Sequence, residues 1–256
     1  MDEAEKWWRS RFAELAQRAY ERGRYAFTEF LSPAELGYFY NAEREYSYAG
    51  TRLWGGAEET ERKMIRFGDC DYEEEFPIAA LKIVPAGGKF PEPLTHRDYL
   101  GALLSLGIER NTLGDIFVSE KEAYVYCLSR IAPFVEENLL RVRHTEVKAT
   151  RAETAVPVMA EKEDGYFFLS SLRADCAVAA VFRLSRTDAA AYFQAERVFI
   201  NGRVCARPSR ELAPGDGVTV RGKGRFTLAE VVGESRKGRL RVRVQKDGRP
   251  SGASSE

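Results

Sequence analysis

The sequence predicts an α+β fold, and three features support that class. Apolar residues recur at helical spacing in about the first 45 residues, and strand-like runs alternate with helical segments between about residues 76 and 152. Short helices followed by strands of alternating polarity then fill the last third of the chain. We therefore expect a mainly helical region at 1–75, an α/β domain at 76–152, a smaller α/β domain at 166–246 and a disordered tail, rich in Gly and Ser, at 247–256.

The N-terminal region is expected to pack helices around an aromatic core. A stripe at helical spacing predicts a helix from about residue 2 to residue 21, and it consists of Trp7, Trp8, Phe12, Leu15, Ala16 and Ala19. A second helix is expected to begin at Ser32, because Ser32 and Glu35 have the spacing of a capping box around Pro33. The nearby aromatic residues favour a compact core over a base-stacking surface, and they are Phe30, Tyr38, Phe39, Tyr46 and Tyr48.

A strand pair and two linkers complete the organisation of the chain. Strands are expected at 48–54 and 63–67, on either side of Gly55-Gly56. The acidic run Asp69–Glu75 predicts a solvated linker without the spaced carboxylates of a calcium loop. Residues 151–169 predict a second linker that ends in a short strand-like segment.

Residues 78–149 predict the element order β-α-β-β-α-β, which is the split βαβ plait of ferredoxin-like and RNA-recognition domains. The expected strands are 78–85, 114–118, 123–128 and 141–149, with Thr95 and Ser129 as helix caps. The apolar residues expected on these helices are Leu100, Leu103 and Leu104 on the first, and Ile131, Phe134, Val135 and Leu139 on the second. Many enzymes share the plait, and the aromatic signature of RNA-recognition domains is absent. We therefore expect a positioning or protein-contact domain first.

The formal net charge is zero, but the charges are unevenly distributed. Residues 1–170 hold 22 of the 39 Lys and Arg and 30 of the 39 Asp and Glu, whereas residues 171–256 hold 17 and 9. A basic third in a neutral chain indicates a partner with a phosphate backbone. The alternative is a solvated surface on which cations cluster by chance.

Composition argues against several other classes of function. Neither the four cysteines (Cys70, Cys127, Cys176 and Cys205) nor the two histidines show metal-site spacing, so we expect no metal and reduced thiols in a cytoplasmic protein. The charged N-terminus lacks the apolar segment of a signal peptide, and no apolar run approaches the roughly 20 residues that span a bilayer. We therefore expect no membrane partner.

The segment Ser171–Gly222 predicts a compact module with basic residues at its junctions. A helix is expected from Asp175 and a second from Ser185. A hairpin is expected at Asn201-Gly202, followed by a turn at Pro214-Gly215-Asp216 that leads into a return strand. The module therefore pairs two short helices with a small antiparallel sheet.

Arg186 lies in the first turn of the second of these helices, where a cation opposes the helix dipole. Such a cation suggests a use outside the helix, and phosphate binding by Arg186 with the exposed backbone N–H groups is one explanation. A salt bridge from Arg186 to Asp175 or Asp188 is the equally weighted alternative.

Further cations follow the module along the chain. Arg221, Lys223 and Arg225 alternate with glycines that let the backbone approach a bulky partner. Arg239, Arg241 and Arg243 share one face of a predicted strand, where they repel each other unless an anion lies across them. A strand with one solvated face is the alternative.

The residues of this module and several segments before and after it resemble two known protein families. Residues 171–222 resemble the small RNA-binding domain named after ribosomal protein S-four, through Ser171-Leu172-Arg173, Asp175, Leu184-Ser185-Arg186, the Val198–Gly202 hairpin and Pro214-Gly215-Asp216 with Val218. Nearly all of residues 25–245 are similar to the YlmH family. The matching segments are Leu94–Ile108 with Gly114-Asp115-Ile116, Gly55-Gly56 with Glu61-Arg62-Lys63, and Arg236–Arg239.

The resemblance implies a non-enzymatic RNA-binding protein that acts on ribosomal RNA or tRNA at the large ribosomal subunit. It implies a role in the rescue of stalled nascent chains, in which family members hold peptidyl-tRNA, and the family is also linked to cell division. A division-associated interaction protein is therefore the alternative. No cofactor, metal or small-molecule substrate is implied. The residues expected to contact RNA are Arg173, Arg183, Ser185, Arg186, Arg197, Asn201, Arg203, Arg210, Arg221, Lys223, Arg225, Lys237 and Arg239.

His96-Arg97-Asp98 invites a catalytic interpretation, but the surrounding residues argue against it. A kinase catalytic loop needs Asn five residues after the Asp, and Leu103 stands there. Thr95 and Asp98 fit a capping box, which places His96 and Arg97 at a helix start, where contact with RNA or a partner and a structural role are weighed equally.

Enzymes that modify ribosomal RNA remain a less favoured alternative, because they carry the S-four-type domain in front of a catalytic domain. Here it follows residues that lack a P-loop or dinucleotide fingerprint.

Overall fold

The computed structural model describes residues 3–57, 60–87, 92–119, 122–152, 162–236 and 238–247 of the 256-residue chain. The chain divides into two compact units, one within residues 1–159 and one within residues 160–249. Both units contain helices and antiparallel sheets, which confirms the mixed α+β class. The tail predicted at 247–256 lies outside the described residues except for Asp247.

The helices are α1 (Glu3–Arg22), α2 (Pro33–Ala42), α3 (His96–Ser105), α4 (Ala132–Asn138), α5 (Ala174–Phe182) and α6 (Arg186–Gln194). Two 3₁₀ helices cover Glu43–Ala49 and Arg110–Thr112. The strands of the first unit are β1 (Ala26–Phe27), β2 (Thr51–Trp54), β3 (Met64–Phe67), β4 (Ile78–Pro85), β5 (Leu113–Val118), β6 (Ala123–Leu128), β7 (Arg141–Val142) and β8 (Thr145–Arg151). The strands of the second unit are β9 (Lys162–Leu169), β10 (Val198–Ile200), β11 (Arg203–Val204), β12 (Gly217–Val220), β13 (Gly224–Glu234) and β14 (Leu240–Asp247).

The N-terminal part of the first unit packs α1 and α2 beside a three-stranded sheet of order β1-β3-β2. The capping box of α2 is confirmed, because Ser32 Oγ accepts the Glu35 N–H while the Glu35 carboxylate accepts the Ser32 N–H at 2.6 Å. Phe12 and Phe39 are fully buried in an aromatic core, as expected. Trp7 differs from the predicted stripe, since it is exposed and meets Trp8 edge to face.

The second sheet of this unit has the order β5-β6-β4-β8-β7, and every neighbouring pair is antiparallel. One face buries residues of α3 and α4, among them Tyr99, Leu103 and Val135. Leu104 was expected inside but is exposed, because the buried stripe of α3 runs through Tyr99 and Leu103 and leaves the next position facing outward.

Two local expectations about this part of the chain are wrong. The strand predicted at 141–149 is a hairpin of β7 and β8, with Arg143 in the turn at φ 52°. Glu92 stabilises this turn, since its carboxylate accepts the His144 N–H at 3.1 Å and lies 3.7 Å from the Arg143 guanidinium. Ser129 does not cap α4, because its N–H donates to the Pro77 carbonyl and the helix begins at Ala132.

The other face of the central sheet is covered by the N-terminal part of the same unit. Phe30 and Met64 pack against Tyr124 and Tyr126 of β6 in a single buried cluster. Gly56 makes this approach possible, because a Cβ there would lie 2.3 Å from the Tyr126 ring and its φ is 101°. The boundary expected near residue 75 therefore lies inside one compact unit whose two parts share a core.

The second unit packs α5 and α6 on a six-stranded antiparallel sheet of order β11-β10-β12-β13-β14-β9. The strand-like end predicted at Tyr166–Leu169 is confirmed as part of β9, but the linker is wrong for residues 162–165, because β9 pairs with β14 from Leu240–Leu169 to Asp247–Lys162. Residues 153–161 lie outside the described residues. The strand β9 therefore forms one edge of the sheet.

Candidate nucleic-acid interface

The turn between α5 and α6 presents exposed cations. Arg183 ends α5 in the left-handed conformation at φ 53°, and both Arg183 and Arg186 are exposed. Ser185 caps α6, since its Oγ accepts the Asp188 N–H at 3.0 Å and donates to the Asp188 carboxylate at 2.7 Å. The cap fixes the first turn of α6 with Arg186 at its first position. Ser185 thus has a structural role that needs no RNA.

The two acids considered as partners of Arg186 are engaged with other residues. Asp188 holds Ser185, and Asp175 forms a bidentate pair with Arg173 at 3.0 and 2.7 Å. The hydrogen bonds from Arg173 lower the pKa of Asp175. Arg186 instead donates to the Ser170 hydroxyl at 3.0 Å. A hydroxyl leaves the guanidinium charge uncompensated, so Arg186 fits an anion better than Arg173 does.

Arg210 lies beside the N-terminus of α5. Its carbonyl accepts the Ala174 N–H at 2.7 Å, and its side chain is exposed. The Arg186–Ser170 and Ser170–Cys176 contacts place Arg186 near the same helix end. The fold therefore brings Arg173, Arg186 and Arg210 together, although the sequence separates them by up to 37 positions.

A second group of cations surrounds the β12–β13 turn. The Arg221 N–H donates to the Arg197 carbonyl at 2.9 Å, which places these two exposed residues side by side. The Arg197 guanidinium lies 5.3 Å from the Tyr192 ring centre, and that of Arg221 lies 5.0 Å from the Phe199 ring centre. A guanidinium held over a ring keeps its N–H edges available for hydrogen bonds. Lys223 is exposed in the same turn.

The Asn201-Gly202 hairpin forms as predicted, with φ values of 52° and 77°. Asn201 Nδ2 donates to Asp216 at 2.7 Å, and Asn201 Oδ1 accepts the Gly217 N–H at 2.8 Å. Asn201 therefore pins the hairpin to the Pro-Gly-Asp turn and has a role within the fold. Arg203 is exposed beside it, and the Arg225 guanidinium lies against Gly217.

The arginines of β14 differ from the expectation that only an outside anion relieves their repulsion. Arg243 contacts Glu230 at 2.7 Å and Asp164 at 3.1 Å, which raises its pKa. Arg239 donates to the Phe168 carbonyl at 2.8 Å. The charge of Arg243 is therefore compensated, whereas no carboxylate among the described residues forms a salt bridge with the exposed Arg239 or Arg241. Lys237 lies outside the described residues.

Sequence analysis missed two aromatic residues beside these arginines. Tyr166 and Phe168 of β9 are 54 % and 47 % exposed, and the Arg241 guanidinium lies 4.8 Å from the Tyr166 ring centre. The run Tyr166–Leu169 was predicted as a strand-like segment at the end of a linker, but it does not alternate in polarity, so it carried no signal for which rings face outward.

In the first unit, His96 and Arg97 occupy the first turn of α3, and both are exposed. The capping box of Thr95 and Asp98 is confirmed. Partial burial, with the charges of Arg110 and Arg97, lowers the pKa of His96. Arg97 supplies the cation at this helix end.

A clamp of charged groups joins the two parts of the first unit. Arg62 donates to the Leu113 carbonyl at 3.0 Å and to the Phe30 carbonyl at 2.9 Å, and burial lowers its pKa to about 10. Asp115 accepts the backbone N–H groups of Glu61 and Arg62, and burial raises its pKa to about 6. These polar groups are satisfied within the protein, so they fit a structural role.

No group of three or more His, Cys, Asp and Glu among the described residues is arranged to hold a metal ion. Within the same part of the chain, no helix is long and apolar enough to cross a membrane. All four cysteines are free.

Comparisons with known proteins found three similarities to this chain. Residues 72–155 match the family described as "Putative RNA-binding domain in YlmH". The chain is 29 % identical over 232 residues to "Ribosome-associated protein quality control protein P2" of Bacillus subtilis (strain 168), covering 88 % of this chain and 89 % of that protein. A solved structure of "Cell division protein ylmH from Streptococcus pneumoniae" is 17 % identical, covers 59 % of this chain and 93 % of that chain, and has a TM-score of 0.49, which supports no inference. The resemblance to the YlmH family is thereby confirmed, with residues 72–155 matching the family's RNA-binding domain.

Proposed function

We propose that this protein is a non-enzymatic, cytoplasmic RNA-binding protein that acts at the large ribosomal subunit, where it holds peptidyl-tRNA during quality control of stalled nascent chains. The observation that carries the proposal is the exposed set of arginines around α5, α6 and the β12–β13 turn. Of these, Arg186 is bound only weakly by a hydroxyl, and Arg197 and Arg221 are held over aromatic rings. Such cations contact phosphates without reading bases.

The comparisons support the same proposal from a different part of the chain. The family description falls on residues 72–155, which sequence analysis assigned first to positioning or protein contact. The closed face of the central sheet leaves no room for bases on Tyr124 or Tyr126. RNA contact by this region is therefore assigned to exposed edges such as the start of α3, where Arg97 lies. The name of the Bacillus subtilis relative supports a ribosomal setting.

The experiment compares two preparations of large ribosomal subunits. One carries peptidyl-tRNA on a stalled nascent chain, and the other has been released with puromycin. The protein is expected to pellet preferentially with the first preparation. Equal pelleting with both would contradict the peptidyl-tRNA assignment, and no pelleting with either would contradict the ribosomal one.

Variants separate the RNA-contacting arginines from the rest of the surface. Arg186→Ala is expected to weaken pelleting more than Arg173→Ala, because Asp175 already compensates Arg173. Arg52→Ala is the matched control, since Arg52 is an exposed arginine of the first unit. Incubation with ribosomal RNA and S-adenosylmethionine is expected to give no modification, and turnover would support the enzymatic alternative.

A further inference from the structure

Four residues on the open side of the second unit's sheet form a surface distinct from the cations around α5 and α6. We define the aromatic–arginine face as Tyr166, Phe168, Arg239 and Arg241. Tyr166 and Phe168 alternate along β9, and Arg241 lies directly across from Phe168 in the register of β14. All four side chains are exposed. Two large rings left half exposed on one sheet face indicate a binding surface.

The arginines on this face are held beside the rings. The Arg241 guanidinium lies 4.8 Å from the Tyr166 ring centre, and Arg239 donates to the Phe168 carbonyl at 2.8 Å. Each guanidinium has further N–H donors, and neither contact is with a carboxylate. The face thus offers the Phe168 ring and the side of the Tyr166 ring that Arg241 does not cover as stacking platforms, with a cation at each one.

The charges along β14 give the face a direction. Arg243, across from Tyr166, is compensated by Glu230 and Asp164, so the end beyond Tyr166 is acidic. Arg239 and Arg241 make the other end basic, and Arg236 is exposed beyond them. An anionic ligand on this face therefore runs from Tyr166 toward Arg239, away from the acidic end. This distribution of charge suits the phosphate backbone of a nucleic acid.

We propose that the aromatic–arginine face binds unpaired RNA, with bases stacked on Tyr166 and Phe168 and phosphates on Arg239 and Arg241. Residues two apart on a strand are separated by roughly 6.6 Å, about twice the ~3.4 Å per nucleotide of a helical strand. Two bases on these rings are therefore splayed apart, which a duplex does not permit. This inference rests on the proposed RNA-binding function but names a second contact, to single-stranded segments.

The test measures binding of a fluorescent short oligouridine, which forms no duplex, to the full-length protein. Tyr166→Ala and Phe168→Ala are each expected to weaken binding by roughly 5- to 100-fold, as the loss of one base stack does. Tyr166→Phe and Phe168→Tyr keep a ring and are expected to bind like the wild type. Tyr20→Ala is the matched control, because Tyr20 is an exposed aromatic residue of the first unit.

Ultraviolet cross-linking of the wild-type protein to oligouridine keeps the test decisive if an alanine variant fails to fold. Cross-links are expected at Tyr166 or Phe168. Absence of oligouridine binding, or binding that is lost with Arg186→Ala but not with the two aromatic variants, would overturn the inference. If the protein still pellets with ribosomes when either of these results is obtained, the proposed function stands. If the two aromatic variants lose pelleting with ribosomes but still bind oligouridine, the face contacts a protein. That result would also overturn the inference.

Discussion

Two sheets of this protein carry aromatic side chains at alternating positions, and they differ in what lies over the rings. Tyr124 and Tyr126 of the central sheet are only 5 % and 3 % exposed, because Phe30 and Met64 pack on them. Tyr166 and Phe168 of the second unit are about half exposed and have arginines beside them. The same strand pattern therefore builds a core in one unit and an open surface in the other. A row of strand aromatics predicts a base-binding surface only where no other element covers it.

The charged residues follow the same division. Arg62 in the first unit donates to carbonyl groups and joins two parts of one core. Arg197 and Arg221 in the second unit lie over rings at the surface. Replacing the half-buried Arg62 is therefore expected to cost stability, whereas replacing a surface arginine is expected to cost RNA affinity.

The largest effect is expected from Gly56→Ala, which would break the closed sheet. A Cβ at Gly56 would lie 2.3 Å from the Tyr126 ring, at a φ of 101°. We expect a loss of about 3 kcal/mol or more in the free energy of unfolding, measured by urea denaturation. Gly101→Ala is the control, because nothing lies near its Cβ position in α3, and it is expected to stabilise by about 0.5–1 kcal/mol. An unchanged midpoint for Gly56→Ala would show that the sheet face is not closed in this way.

Arg62→Ala is expected to have the next largest effect, because it leaves the Phe30 carbonyl without its charged donor and leaves the Leu113 carbonyl with Arg110 alone. We expect a loss of about 2–3 kcal/mol in the free energy of unfolding. Arg52→Ala, at an exposed position of β2, is expected to change it by less than about 0.5 kcal/mol. Equal effects of the two variants would contradict the division between arginines bonded inside the fold and exposed arginines.

The raised pKa of Asp115 predicts that the stability of the first unit depends on pH. Burial raises its pKa from 3.8 to about 6, so the folded state holds the proton more tightly than the unfolded state does. The contribution of this carboxyl to stability is therefore present below about pH 4 and is lost as the pH rises through about 6. A rise of this size in the pKa corresponds to a total loss of about 3 kcal/mol. Asp115→Asn keeps an acceptor oxygen and is expected to remove this component, so the stability of the wild type relative to the variant should fall between pH 4 and 7. Parallel curves would refute the assignment.

The smallest effects are expected from Arg197→Ala and Arg221→Ala. Each is expected to weaken RNA binding by roughly five- to tenfold, or about 1 kcal/mol, while unfolding changes by about 0.5–1 kcal/mol from the lost ring contact. Binding to a ribosomal RNA fragment by fluorescence anisotropy measures the first effect, and urea denaturation measures the second. Lysine at either position keeps the charge and should restore much of the affinity. Failure of lysine to do so would point to a packing role.

Features encoded by neighbouring residues were predicted well. The Asn201-Gly202 hairpin and the Ser32–Glu35 capping box depend on a few consecutive side chains, and both formed as expected. The β7–β8 hairpin was missed because its turn depends on Glu92, which lies about 50 positions earlier in the chain. Local patterns do not contain such contacts.

Only the folded structure shows which residues cover the central sheet and which rings of β9 are exposed. The run Ala123–Leu128 is apolar at every position and is buried throughout, which was a signal that both faces of β6 are covered. The strand-like run was predicted, but its outward face was not, because Tyr166, Phe167, Phe168 and Leu169 are all apolar or aromatic and do not alternate in polarity. Only its pairing with β14 shows which of these rings face outward.

The most direct test of the account is the salt dependence of binding between the full-length protein and purified large ribosomal subunits. The Arg183→Ala, Arg186→Ala double variant is compared with the wild type, with circular dichroism as the check on folding. Loss of up to two phosphate contacts is expected to lower the slope of log affinity against log salt by roughly 0.7–0.9 for each contact, and to weaken binding at low salt. An identical affinity and slope for the two proteins would contradict the claim that RNA is held by the exposed arginines of the second unit.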